Sequence, residues 1–319
     1  VYVVRRLVIF GSVVVISAVA AFAAVYDANQ KVALTPVIAV RGDDIYVAWA
    51  RLGRMLKFGR FTLSPVHGGE AHLQTSVPMT SRTNEPFALA MDDDSIFLSW
   101  VDYGSGKAEL AHYKIKGKEK IDRVDTRNTS IRTRGGVSLA YGDGRLFVGY
   151  TDEKEDLIRI ATYNVSSKGK LSRENERKLT ECETVVGSSI ALSGDTMVVA
   201  WMNSEKKFML TTYAVEKSSK GPTYRHLKET RTEIRARTDP MDKPAVAVLG
   251  DEIYLGYVDR NDKTARVKFY QLNADGSTKS AGETRVNERP GQPITVAASA
   301  DKVYVALMDN DNRLLIAEQ

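Results

Sequence analysis

A chain of 319 residues that is 43% hydrophobic and 27% charged can bury a sizeable core, which excludes disorder over most of its length. The formal charge of +5 falls to +3 once the first 26 residues, with Arg5 and Arg6, are set aside, and so even a balance excludes the basic stripe that nucleic acid requires. Cys182 is the single cysteine, so no intramolecular disulfide can form and stability must come from packing.

The first 26 residues place Arg5 and Arg6 before 18 uncharged residues, Leu7 to Ala24. As a helix this run spans about 27 Å, close to the thickness of a bilayer core. Two readings fit: a cleaved export signal, with Ala21-Phe22-Ala23 as its processing site, and an uncleaved membrane anchor. Either way the arginines keep the N-terminus in the cytoplasm and send the rest of the chain across, so an extracytoplasmic protein is expected. An N-terminal hydrophobic helix over residues 1–26 is the corresponding structural expectation.

From there the chain repeats itself. Aligning on the residue that closes the second apolar run of each copy gives Trp49, Trp100, Tyr150, Trp201, Tyr257 and Leu307, spaced by 51, 50, 51, 56 and 50 residues. Each copy holds a first apolar run, a Gly/Asp turn, a second run ending at that residue, a third run such as LAHYKI or RVKFYQL, and a more polar fourth segment. Short runs rich in Val, Ile, Tyr and Phe, broken by turns about every 10 residues, read as strands. Four strands per copy, with the first two apolar on both faces, predict stacked blades that cover one another, hence an all-β, six-bladed β-propeller over residues 27–319. The sixth copy ends at Gln319 without a fourth strand, while DANQKVALT precedes the first copy, so residues 27–35 are expected to close the last blade.

The residues Pro244 to Asp259, P-x-V-A-x-x-G-D-x-I-Y-x-x-Y-x-D, resemble the sialidase-like, BNR-type propellers. The family's Asp-box has a partial counterpart in Asn273-Ala274-Asp275-Gly276-Ser277-Thr278, and the family's F-R-I-P motif is absent. The resemblance implies a propeller that binds carboxylate through arginines on one face.

No cluster has the spacing of a catalytic or metal site, so no catalytic residue, metal or cofactor is assigned. His67, His72, His112 and His226 form no ligand motif, and His67 and His72 read as surface residues. Gly104-Ser105-Gly106-Lys107 reads as a hairpin loop, and Arg41-Gly42-Asp43 as the small polar turn that Gly194-Asp195 and Gly250-Asp251 supply in other copies.

Two recurring sets remain. Asp102, Asp152, Asp259 and Asp309 stand two places after the aligned residue, where Asn203 and Arg51 occupy the other copies, and they suit either turn capping or ligand contact. Arg82, Arg132, Arg134, Arg235, Arg237 and Arg289 fall in the connections between copies, which a propeller gathers on one face. Their guanidinium groups suit carboxylate, sulfate or phosphate, although Glu85, Glu183, Asp239, Asp242 and Glu288 are interleaved with them. The expected function is therefore a noncatalytic exported or membrane-anchored propeller that binds a glycan or an envelope protein, taking an anionic group at these arginines. A sialidase-like hydrolase or lyase, and a scaffold subunit of a membrane complex, are the alternatives.

Overall fold

The protein is described by a computed structural model covering residues 24–64, 69–117, 120–184, 186–235, 243–259, 261–286, 288–299 and 302–319. Those residues form strands and turns, arranged as four four-stranded sheets and one eight-stranded sheet. The larger sheet is two four-stranded units meeting edge to edge through one parallel bridge, Asp27 to Glu70. The first five units are antiparallel meanders in chain order, as the alternation of apolar runs and Gly/Asp turns predicts, and the last is completed by a strand that precedes the first unit.

Burial explains why these segments are strands. Ser95–Val101 is buried at every position, and its counterparts Asp44–Ala50 and Lys302–Met308 at every position but the first. Outer strands such as Lys120–Asn128 instead alternate half-buried and exposed residues, because nothing covers their rim. The core is not one mass: six hydrophobic clusters occupy the six contacts between successive units, including the contact between the last unit and the first. The first strands touch in a closed cycle, from Val37–Arg41 through Ala88–Met91, Thr133–Gly142, Ser189–Ser193, Ala245–Leu249 and Thr295–Ser299 back to the start. This is the arrangement of a β-propeller, in which each unit needs both neighbours to bury its two faces.

The closing strand is Ala24–Lys31, which pairs antiparallel with Arg313–Glu318 and so completes the last unit. Among the described residues it includes Ala24, Val25 and Tyr26, ahead of the expected residues 27–35. Tyr26 is the cause: it is buried in the cluster between the last and first units, beside Tyr304 and Ile316. Val32 then donates its backbone N–H to Asn312 O and Ala33 donates to Ala50 O, carrying the chain from the last unit to the first. The expected N-terminal helix lies outside the described residues, and among those no helix is long and apolar enough to cross a membrane.

Two faces follow from the meander. One carries the connections between units together with the turns from second to third strand; the other carries the remaining turns. Neighbouring units are also stitched at the second face. Gly276 of the Asp-box-like turn accepts a hydrogen bond from Thr212 Oγ1 of the preceding unit (2.7 Å), and Gly169 O lies 2.7 Å from His112 Nδ1. His112 is fully buried and stacked on Phe97, with burial holding its pKa below the ordinary value, which makes it a packing residue of this fold.

Candidate functional site

The connection face does not gather the predicted arginines at one point; it distributes them over separate clefts. Arg82 ends the outer strand Glu70–Arg82 of the first unit and is exposed. It lines an open cavity of about 360 Å³ between the first and second units, with Arg54, Asn84, Leu52 and Tyr103. The backbone holds the two walls together: Thr83 donates to Arg54 O, and Tyr103 donates to Arg82 O. Gly53 and Arg54 both take positive φ, 92° and 65°, which turns the Arg54 side chain across to Asn84 Oδ1.

Charge and exposure make this cleft unlike the others. At the position where other units place Asp102, Asp152, Asp259 or Asp309, the first unit has Arg51, and no carboxylate lines the cavity. Leu52 and Tyr103 are 65% and 61% exposed, and Met55, the register partner of Arg82, is 41% exposed. Among the described residues these three are the exposed large hydrophobic side chains. Two arginines, Arg54 and Arg82, and two exposed apolar side chains, Leu52 and Tyr103, therefore line one cleft with no carboxylate among its described lining residues.

Arg132 lies in the next cleft, an open cavity of about 350 Å³ between the second and third units. That cavity is built on a polar network absent from the sequence-based expectation. Tyr150 Oη donates to Glu176 Oε2 at 2.7 Å, Arg159 Nη1 donates to Glu176 Oε1 at 3.2 Å, and Arg159 Nε lies 3.1 Å from Asp152 Oδ2. Arg173 also donates to Glu176 and to Ser130 Oγ. The same set recurs two units later: Tyr257 Oη donates to Glu283 Oε2 (2.5 Å), Arg266 Nη1 donates to Glu283 Oε1 (2.8 Å), and Asp259 Oδ2 lies 3.5 Å from Arg266 Nε. Burial, and then the hydrogen bond to the carboxylate, push both phenols well above their ordinary pKa, so they are donors rather than phenolates.

The other predicted arginines are placed as follows. Arg134 pairs with Asp156 at 2.9 Å, and Arg289 is exposed on the connection into the last unit. Arg235 ends the outer strand Thr223–Arg235, and Arg237 lies outside the described residues, as do His67, Asp239 and Asp242. The acidic set has a structural task throughout. Asp102 Oδ1 accepts from Gly104 N and Ser105 N, Asp152 Oδ1 from Lys154 N and Glu155 N, Asp259 Oδ1 from Asn261 N, and Asp309 Oδ1 from Asp311 N and Arg313 N. These carboxylates cap the turns from second to third strand. Asp309 is buried and also receives Arg313 Nε at 2.7 Å.

The centre of the face is a different environment. Near the start of each first strand stand Thr35, Glu85, Gly135, Gly187, Lys243 and Gln292, one per unit on the connection face. Lys243 reaches from the fifth unit to donate to Val137 O in the third, at 2.9 Å, with its stem passing Gly187. Burial draws its pKa down to about 8, with Glu85 opposing the shift. Glu85, at the same position of the opposite unit, is itself raised, by burial above all. Aligning the residue before Pro86, Pro244 and Pro293 would have found this set in the sequence.

No family model matches the chain, and no curated protein matches its sequence. Among solved structures, AofleA of Arthrobotrys oligospora is similar with a TM-score of 0.60 at 9% identity, over 93% of this chain and 85% of that one. A sialidase of Trypanosoma rangeli is similar with a TM-score of 0.59 at 8% identity, over 95% of this chain. The chain spans 58% of that sialidase's length. At such identities the likeness is one of fold alone, a β-propeller.

Proposed function

We propose that the chain is a six-bladed, noncatalytic propeller that binds an acidic glycan or an acidic envelope protein in the cleft between its first and second blades. The observation that carries this reading is the coincidence there of Arg54 and Arg82, without a lining carboxylate, and the exposed Leu52 and Tyr103. Exposed apolar side chains gathered beside unneutralised cations mark a binding surface rather than a solvated rim. An aromatic face beside guanidinium groups suits a sugar ring bearing a carboxylate, with Asn84 as a polar contact for hydroxyls. Arg132 and Arg289 extend the cationic character along the same face, and the acidic residues Asp102, Asp152, Asp259 and Asp309 serve the turns.

The geometry of the closing strand supports an outward-facing site. An outer strand runs from the second face to the connection face, so Ala24 starts on the side away from Arg82. With residues 1–26 as an export signal or anchor, an anchored form would turn the cleft away from the lipid. The protein would act outside the cytoplasm, with no cofactor in the binding step.

The test is binding of uronate oligosaccharides and of neutral oligosaccharides of the same length, by calorimetry at low and moderate salt. The acidic series should bind and weaken with salt. Replacing Arg54 and Arg82 by Ala should lower affinity at least about tenfold, while melting stays near the parent value. Equal binding of both series, or an unaffected double variant, would refute the assignment.

A second reading, sialidase-like hydrolysis, draws on the two phenol–carboxylate pairs, Tyr150 with Glu176 and Tyr257 with Glu283. It is the weaker one, because each carboxylate is also held by an arginine and each phenol is held neutral. Release of an aryl alcohol from an aryl sialoside or aryl glucuronide, abolished by Tyr150→Phe or Tyr257→Phe, would move the assignment to it.

A further inference from the structure

The channel mouth holds a group that neither the fold nor the binding cleft requires. Lys243 projects into a cavity of about 80 Å³, room for roughly three or four heavy atoms, whose walls include Pro86, Ile190, Val246 and Pro293. Its ammonium has three donors, and Val137 O takes one of them. The hydroxyls nearby bond to other groups: Ser138 donates to Gly149 O, Ser189 accepts from Val246 N, and Thr295 donates to Pro36 O. Among the described residues the one charged group acting on Lys243 is Glu85, and the two form no ion pair.

The surrounding backbone makes room for this side chain. Gly135 and Gly187, which occupy the same repeat position, leave the path from the fifth unit to the third clear, and a Cβ on Gly187 would stand 3.1 Å from Lys243 Cδ. Glu85 stands three units away around the ring, across the mouth, also at the position before a proline. Lys243 lines this mainly apolar cavity, and Glu85, next to the lining residue Pro86, carries a carboxyl that holds its proton more tightly than usual; an amine, an acid and a cavity are the parts needed for carbonyl condensation.

We propose that Lys243 is a nucleophilic amine that condenses with a small aldehyde entering the channel mouth, with Glu85 carrying the protons. The amine lone pair adds to the carbonyl carbon, and the carbonyl oxygen takes a proton from the Glu85 carboxyl. The Glu85 carboxylate then removes the extra proton on nitrogen, giving the neutral carbinolamine. Return of that proton to the hydroxyl expels water and leaves the C=N bond. One water is released, nothing is oxidised or reduced, and the apolar walls slow the reverse hydrolysis. Depression of the amine to about pKa 8 raises its free-base fraction at neutral pH. The gain over an ordinary lysine is about a few hundredfold.

The experiment is reductive trapping with propanal and sodium cyanoborohydride on the intact protein, with peptide mass mapping of every modified lysine. Lys243 should be propylated at least about tenfold faster than exposed lysines such as Lys116 and Lys279, with a rate that rises through a midpoint near 8. Glu85→Gln should slow trapping and lower that midpoint, because the carboxylate is what opposes the shift. Lys243→Arg should remove the fast site. Should that variant not fold, the map of the parent protein still decides. Labelling of Lys243 no faster than that of surface lysines, or a midpoint at the ordinary lysine value, would overturn the proposal and leave Lys243 a fastening between blades. None of these outcomes bears on the cleft at Arg82, which propanal does not probe.

Discussion

Gly135 and Gly187 meet backbone to backbone at the channel mouth: a Cβ on Gly135 would fall 2.3 Å from Gly187 N, and one on Gly187 would fall 2.1 Å from Gly135 O. The clash is with main chain, so no side-chain rotation relieves it. Gly187→Ala should therefore cost about 3 kcal/mol, read from urea unfolding midpoints. Gly42→Ala is the control. Its Cβ meets nothing within 4 Å, and only its φ of 54° opposes substitution, for about 1 kcal/mol. Equal costs at the two sites would show that the mouth is looser than its contacts imply.

Closure through Ala24–Lys31 makes Tyr26 a core residue despite its place near the leader. Tyr26→Ala should cost about 3–5 kcal/mol, as for other buried aromatics. Removing residues 24–31 altogether should expose the edge of Arg313–Glu318 and give aggregation or a loss of cooperative melting, measured by calorimetry and light scattering. A truncated chain that melts as the parent does would contradict the pairing.

Asp262 should make stability pH-dependent on the acid side. Its carboxyl lies well below the usual range, because the Thr264 hydroxyl (2.5 Å) and backbone N–H (3.0 Å) donate to it and Arg266 pairs with it at 2.9 Å. A depressed folded-state pKa stabilises above the unfolded value, about pH 4, and that contribution is lost as the pH falls further. Melting temperatures of the parent should thus drop more steeply below about pH 4 than those of Asp262→Asn, which should start lower at neutral pH. Parallel curves would remove Asp262 from the acid transition.

Cys182 should report global unfolding. It is fully buried, its sulfur lies 3.2 Å from Tyr213 Oη, and burial pushes its thiol up to about 12. A bulky aromatic disulfide reagent should not react with the folded protein, and in urea its reaction should follow the unfolding transition. Rapid labelling without denaturant would mean that the cluster between the third and fourth units opens locally.

The repeat was legible because a strand covered on both sides has no choice of residue. Trp49, Trp100, Tyr150, Trp201, Tyr257 and Leu307 are all buried at the wedges between units, and their spacing alone marks the period. The start of the closing strand is not marked in the sequence, because apolar residues run through Ala24, Val25 and Tyr26 without a polar break. The Tyr150–Glu176 and Tyr257–Glu283 pairs were not legible. Each joins a second strand to an outer strand whose pairing with the third slips at a bulge, between Thr162 and Tyr163 in one unit and between Phe269 and Tyr270 in the other. Simple alternation loses register across such a bulge. Topology puts the connections between units on one face, but which cleft an arginine in them lines depends on turn conformation. Arg54 with its positive φ is the case in point, and nothing in composition or spacing indicates it.

The pairing of Ala24–Lys31 with Arg313–Glu318 also sets an order of events during synthesis. The first of these strands is translated before every blade, and its partner after all of them. Until Arg313–Glu318 has been translated, the early strand has no mate, and the last cluster, the one holding Tyr26, Trp49 and Tyr304, has only part of its members. Blades can stack as they emerge, but the ring cannot lock until the ends find each other.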